Sequence, residues 1–190
     1  MLIDLVAKSR SVRRFHEDIP LSYDFLKELV NLARFCPSGL NLQPVRFYIS
    51  CSTEKNEQIF PCLTWPKFAD WTCPTPGQRP PAYIVLLGDL RVRDSLFGLD
   101  AGIMAQTILL GAAEVGLGGC FMASLDRDQL RRNLRIPDNY KVLIVLALGY
   151  PAEKIVIEPV GPDGSIQFWR DSDGIQHVPK RSLPDLLVDF

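Results

Sequence analysis

Residues 99–125 read LDAGIMAQTILLGAAEVGLGGCFMASL, and the arrangement of the rest of the chain turns on them. This is the most apolar run of the sequence; its polar members are Asp100, Gln106, Thr107, Glu114 and Ser124. Through about Val115 the spacing predicts a helix, with Ile103, Gln106, Leu110 and Ala113 along one side and Met104, Ile108 and Ala112 beside them. Apolar residues nearly all round a helix predict burial on most faces. Gly116, Gly118 and Gly119 end it, and Cys120–Leu125 has the length and apolarity of a buried strand. A membrane span is excluded: Gln106 and Glu114 lie within the run, glycines follow, and no basic flank anchors it. A helix with no solvent face in a chain of 190 residues implies that partner subunits supply part of its cover.

Size and composition bound the remaining choices. A chain of 190 residues suits one domain, here taken as 1–190. With 47% hydrophobic and 23% charged residues it is globular and not disordered. A net charge of -1 provides no field toward nucleic acid or anionic lipid, so neither is an expected partner. Asp4 and Lys8 interrupt the apolar start, which lacks the pattern of a secretory leader. Five cysteines, Cys36, Cys51, Cys62, Cys73 and Cys120, form no CxxC pair and leave one over under any pairing. Free thiols and a cytoplasmic location are therefore expected.

Upstream of the central run, Leu2–Lys8 reads as a short helix with Leu2, Leu5 and Val6 on one face. Arg10, Ser11, Arg13 and Arg14 follow as a dense set of donors suited to phosphate oxygens. A solvated basic turn would look the same. Ser22 is a candidate N-cap for a helix carrying Phe25, Leu26, Leu29, Val30 and Ala33. It stops at Cys36–Pro44, an irregular loop of two prolines, a glycine and an asparagine, ahead of a strand at Val45–Ser50. Within that loop Asn41 and Gln43 carry amides that both donate and accept, as the edge of a heteroaromatic ring requires. A loop that bonds its own backbone is the alternative.

Around and beyond the central run, Pro81–Gly88 and Val142–Gly149 are near-continuous apolar stretches of strand length, suited to the middle of a sheet. Asp100 near the start of the central helix favours its dipole. Arg127–Leu134 is amphipathic. Between Asn56 and Arg79 the prolines predict loops with at most one short helix, and Trp65, Phe68 and Trp71 either cluster locally or cover a planar ligand. The tail reads as short strands at Ile155–Ile157, Ile166–Arg170 and Ile175–Val178, then a basic pair, Lys180 and Arg181, and an apolar end, Leu183–Phe190.

Four of these segments occur in a telling order: SRSVRRF at 9–15, PSGLNLQP at 37–44, DAGIMAQTILLGAAEVGLGGC at 100–120 and VLIVLALGYPAEK at 142–154. Together they resemble the FMN-dependent nitroreductase family. The resemblance covers most of the chain and thins between about Cys51 and Arg79. It implies an α+β, nitroreductase-like three-layer fold, with a mixed, mostly antiparallel central sheet flanked by helices. It also implies a homodimer with flavin at the subunit interface, around which residues 179–190 form an extension that wraps the partner. By the same resemblance FMN is the cofactor and NADH or NADPH the donor, with a nitroaromatic, quinone or other small planar acceptor using the same face in turn. Arg10, Ser11, Arg13, Lys180 and Arg181 are then assigned to the phosphate. Pro37, Ser38, Asn41 and Gln43 are assigned to the cofactor-binding loop. Met122, Ala123 and Ser124 match the family's backbone amides near N5 and O4 of the ring, and the Cys51–Arg79 region becomes a candidate substrate lid.

No side chain stands out as a general acid or base, and His16 and His177 belong to no recognisable nucleophile arrangement. Metal-ligand spacings and a GxGxxG turn are missing as well. A flavoprotein fits this pattern, because the cofactor carries the reaction and the protein positions the reactants. A flavin-dependent dehydrogenase, a dehalogenase of the iodotyrosine type and a flavin-binding protein without turnover remain alternative readings.

Overall fold

Two apolar runs too continuous to tolerate a solvent face form the middle of a sheet and recruit helices to both sides of it. The computed structural model describes residues 1–66 and 73–190. These fall into two units, Met1–Pro151 and Ala152–Phe190. The first contains, in chain order, α1 (Leu2–Lys8), α2 (Tyr23–Ala33), β1 (Val45–Ser50), α3 (Thr53–Ile59), β2 (Ala82–Asp89), α4 (Phe97–Glu114), β3 (Gly118–Met122), α5 (Arg127–Leu134) and β4 (Tyr140–Gly149). The second contains β5 (Ile155–Pro159), β6 (Trp169–Arg170) and β7 (Gln176–Lys180).

The sheet of the first unit runs β1-β2-β4-β3, antiparallel throughout. Every residue of β2 is buried. Side chains alternate across a strand, so Ala82, Ile84 and Leu86 of β2 join Ile144, Leu146 and Leu148 of β4 in one core with α2 and α4. Tyr83, Val85, Val145 and Ala147 are equally buried on the opposite face. There α3 packs on β2 and on α5, contributing Ile59 and Leu130. Helix, sheet, helix makes three layers, the α+β architecture expected. The Ser22 cap is present, its Oγ accepting from Phe25 N at 3.2 Å. Asp126 caps α5 in the same way through Gln129 N at 2.8 Å. Each such cap stabilises its helix by about 1 kcal/mol.

Two points refine the expectations. First, α4 is not buried all round by its own chain, which is compatible with the expectation that part of its cover comes from elsewhere. Asp100, Ala101, Met104, Ala105, Ile108 and Ala112 face the core, whereas Leu99 is 79% and Ile103 43% exposed. An apolar pattern records that a face prefers to leave water, not whether its own chain provides the cover. Second, the strand after α4 starts at Gly118 and ends at Met122, two to three residues before the predicted Cys120–Leu125. Gly118 and Gly119 belong to the strand, paired with Gly149 and Leu148. Glycine there is a packing requirement: a Cβ on Gly118 would collide with the Val12 side chain, and one on Gly119 with Leu109.

In the second unit β5 and β7 are parallel and β6 joins β7 antiparallel. All three predicted strands are present with different bounds: β5 starts at Ile155 as expected and runs two residues further, β6 keeps only the last two residues of its predicted span, and β7 is shifted one to two residues toward the C-terminus. Carboxylates and a histidine hold this unit together as much as apolar residues do. His177 on β7 lies 2.9 Å from Glu158 Oε2 through Nδ1 and 3.1 Å from Asp171 Oδ2 through Nε2. Its ring stacks on Trp169 at 4.0 Å, and Trp169 Nε1 donates to Glu158 Oε1 at 2.9 Å. Both carboxylates raise the His177 pKa, and in return each is held below its ordinary value. Beside this cluster Arg170 pairs with Glu153 at 2.7 Å. At the end of the chain Leu183, Leu186, Leu187, Val188 and Phe190 are exposed.

Candidate functional site

Val12 is the reason the first basic motif has a defined place. Its N–H donates to Gly119 O at 2.9 Å, and Ser11 forms a parallel bridge with Gly119. The glycines of β3 leave the space that the Val12 side chain fills. Arg10, Ser11 and Arg13 are thereby tethered to the strand that leads into Met122, Ala123 and Ser124. The sequence placed these two motifs about a hundred residues apart; the fold joins them.

Arg10 is half-buried, with Nη2 donating to Val6 O at 2.7 Å near the end of α1. Its Nε is buried without a hydrogen-bond partner. Burial alone lowers its pKa, and among the described residues no carboxylate forms an ion pair with it. A partly desolvated guanidinium with no paired carboxylate is an unfavourable way to end a fold and a favourable way to meet an anion. Arg13 turns Nη1 back to Ser11 O at 3.2 Å.

After β3, Met122 is buried while Ala123 and Ser124 are exposed. Their carbonyls are committed: Arg127 Nη2 donates to Ala123 O at 3.0 Å and Thr64 N to Ser124 O at 2.9 Å. Arg127 also reaches Val142 O at 3.3 Å and Leu143 O at 3.1 Å, at the register shift where β4 slips against β2. Sequence reasoning missed Arg127, since a helix-start arginine carries no signal that it braces a distant strand.

The loop after α2 is held from α4. Asp100, only 4% exposed, accepts from Ser38 Oγ at 2.6 Å and from Gly39 N at 3.3 Å. Ser38 Oγ in turn accepts from Gln43 N at 2.9 Å. Asp100 thus lies in the first turn of α4, as expected, and also anchors the loop. Inside this clasp Leu40, Asn41 and Gln43 all have positive φ, at 54°, 54° and 50°. Left-handed backbone costs a residue with a bulky side chain roughly 1–3 kcal/mol, and such strain gathers at functional sites. The two loop amides also part company. Gln43 Nε2 folds back onto Asn41 O at 3.2 Å, whereas the exposed Asn41 side chain bonds nothing among the described residues. Pro37 is exposed at the entry to the clasp.

Lys180 and Arg181 are exposed at the end of β7 in the second unit, where Lys180 pairs with Pro159. Of the aromatics considered for a lid, Trp65 is buried 5.9 Å from Phe60, in a local cluster over which Arg79 stacks. Phe68 and Trp71 lie outside the described residues. All five cysteines are free. No group of His, Cys, Asp and Glu able to hold a metal ion occurs among the described residues, and no helix of theirs is long and apolar enough to cross a membrane.

The profile of the nitroreductase family matches residues 6–70 and 79–150, which include the N-terminal arginines, the clasped loop and β3. The chain belongs to the nitroreductase family. A nitroreductase relative from Archaeoglobus fulgidus, named "Putative NADH dehydrogenase/NAD(P)H nitroreductase", is 25% identical over 162 residues, 80% of this chain and 86% of that protein. An iodotyrosine deiodinase of Thermotoga neapolitana is 26% identical over 168 residues, covering 80% of this chain and 89% of its own. Among solved structures, an FMN-dependent nitroreductase from Clostridium difficile superposes with a TM-score of 0.67 at 25% identity, over 80% of this chain and 88% of that one.

Proposed function

We propose that this nitroreductase-family chain is an FMN-dependent oxidoreductase, passing hydride equivalents from NADH or NADPH to a nitroaromatic, a quinone or another small planar acceptor. The observation that carries the reading is Arg10, a half-buried cation with an unpartnered Nε and no ion-paired carboxylate among the described residues. An anion is the missing half of that arrangement, and the FMN phosphate fits it.

When bound, FMN supplies the acceptance and release of two electrons with a proton. Arg10 and Arg13 hold its phosphate with charge-assisted hydrogen bonds, each worth about 1.5–3 kcal/mol. Ser11 adds a neutral donor, and Lys180 and Arg181 are assigned to the same group on the family resemblance. The free amide of Asn41 meets the ring edge, with Pro37, Ser38 and Gln43 shaping the loop that presents it. The Ala123 and Ser124 amides, which have no internal acceptor among the described residues, favour negative charge on the ring, and Met122 sets their position. Because one site serves donor and acceptor in turn, the kinetics are ping-pong. The working form is a cytoplasmic homodimer, in which the partner covers exposed apolar residues such as Ile3 and Ile103 and the Leu183–Phe190 tail crosses to it.

An anaerobic absorbance spectrum of the purified protein, before and after NADH or NADPH, tests the reading. A yellow protein that bleaches on addition of the nicotinamide is expected. A protein that stays colourless after FMN is supplied overturns it. The deiodinase relative favours a second reading, reductive dehalogenation in the same site; it requires turnover of a halotyrosine and none of either nicotinamide with nitroarenes or quinones.

A further inference from the structure

Tyr83 is fully buried on β2, and its hydroxyl bonds nothing among the described residues. Its neighbours Ala82 and Ile84 face the core built with α2 and α4, so the phenol points to the other side of the sheet, where α3 packs. A buried hydroxyl that meets no partner is unfavourable, and native folds contain few of them. This one reaches a cavity of about 110 Å³ that Glu17, Phe60, Arg79 and Pro81 help to line. One water needs roughly 10–15 Å³ of such space, so a small organic molecule fits.

The polar groups around the cavity divide into those already bonded and those left open. Asn56 is bonded at both ends: it accepts from Ser50 Oγ at 2.8 Å and donates to Pro81 O at 2.7 Å. Glu17 Oε2 accepts from Gly77 N at 2.6 Å and from Arg79 N at 3.2 Å. Its other oxygen accepts from nothing among the described residues. The Arg79 guanidinium lies over the Phe60 ring, 4.6 Å from its centroid, and the buried Nε has no partner. Arg79 and Glu17 form no ion pair with each other or with any other described residue. Two donors and one acceptor therefore remain open: the Tyr83 hydroxyl, Arg79 Nε–H and Glu17 Oε1.

Both charges are felt at the phenol. Burial pushes its pKa up, Glu17 pushes it further and Arg79 opposes them, so the hydroxyl keeps its proton and can donate. An anion in this cavity would meet Glu17 and the exposed Glu57, and a cation would meet Arg79. A neutral amide avoids both conflicts and complements the open groups one for one. Its carbonyl has two lone pairs for the two donors, and its N–H supplies the carboxylate oxygen. Pro20, Phe60 and Pro81 cover its apolar part.

We propose that this cavity binds small neutral amides, the carbonyl accepting from Tyr83 and Arg79 and the N–H donating to Glu17. Tyr83 approaches it from the sheet face opposite α4, and binding requires neither flavin nor turnover.

The experiment is an NMR titration of the isotopically labelled protein, as isolated, with 2-pyrrolidinone, whose carbonyl and N–H share one edge. Saturable shifts are expected at the backbone amides of Gly77 and Arg79, which bond Glu17, and none at residues 122–124. N-methyl-2-pyrrolidinone keeps the carbonyl and loses the N–H, and should bind about tenfold more weakly. Tyr83→Phe removes only the unbonded hydroxyl, so it should leave the melting temperature unchanged while weakening 2-pyrrolidinone about tenfold. Glu17→Gln should erase the margin between the two lactams, with the melting temperature confirming that the variant folds. Absence of saturable shifts at Gly77 and Arg79, meaning that the cavity holds water alone, overturns the proposal. So do equal binding of the two lactams by the parent protein and parent-like affinity in Tyr83→Phe. Glycine binding more tightly than 2-pyrrolidinone would overturn it too, because the open groups would then be reading opposite charges and not an amide.

Discussion

Ser38 Oγ stands 2.6 Å from Asp100 Oδ2, so a loop at the end of α2 is pinned to the first turns of a helix sixty-two residues later. The carboxylate is almost wholly buried, and its donors are what make that burial tolerable. Ser38→Ala removes one donor and also the acceptor of Gln43 N. We expect a loss of about 1–3 kcal/mol in stability, read from urea denaturation. Weaker FMN retention should accompany it, as the strained backbone around Asn41 relaxes. An unchanged midpoint would show that the clasp does not hold the loop.

Arg10→Ala should raise the FMN dissociation constant at least tenfold. If charge dominates, the parent protein's affinity will fall with added salt more steeply than the variant's. Fluorescence titration with free FMN at two ionic strengths measures both. An Arg10/Lys180/Arg181 triple alanine variant that retains FMN as the parent does would remove the phosphate assignment.

Val12 and Gly118 should show strong coupling. Gly118→Ala overpacks the seam between the N-terminal segment and β3 and should cost about 1–3 kcal/mol. Val12→Ala opens space at the same point, so the double variant should recover part of the loss. A double-mutant cycle by thermal or urea unfolding gives the coupling, and additive losses would argue against direct contact.

His177 makes the second unit sensitive to pH in a defined direction. Its pKa is raised above the ordinary 6.5 by Asp171 and Glu158. The stabilisation is therefore complete below about that ordinary value and is lost as pH rises through the raised one. At the acid end Glu158 and Asp171, both lowered, give up their contribution as pH falls through their folded values. The His177 ring signals in a proton NMR titration should report a midpoint above 6.5, and Asp171→Asn should move it down. A midpoint at or below the ordinary value would contradict the geometry.

Removing Leu183–Phe190 deletes five large apolar side chains that are exposed in the single chain. Sedimentation should show weaker self-association in the truncated protein. An unchanged dimer would mean that the tail takes no part in it.

Much of the architecture was legible because burial and local chemistry agree along the strands and caps. Pro81–Gly88 and Val142–Gly149 have no polar residue to show to water, and β2 and β4 are accordingly central. Ser22 and the 127–134 helix followed from local rules, since a cap bonds only a residue three positions on. The ordered motifs likewise announced the family and the residues worth examining.

Other features depended on who the neighbours are, which no local pattern encodes. Glycines at 118 and 119 read as a break until Val12 is seen occupying the space they leave. Asp100 reads as a dipole residue until Ser38 arrives beside it, and Asn41 and Gln43 look equivalent until one amide is found turned inward and the other free. Sequence by itself determined the hydrophobic periodicity, the helix caps and the chemical inventory, because these act over a few residues. Tertiary structure alone decided which donors were spent and which left open, because a hydrogen bond needs a partner within about 3 Å, and which groups come that close is set by the folded path of the chain.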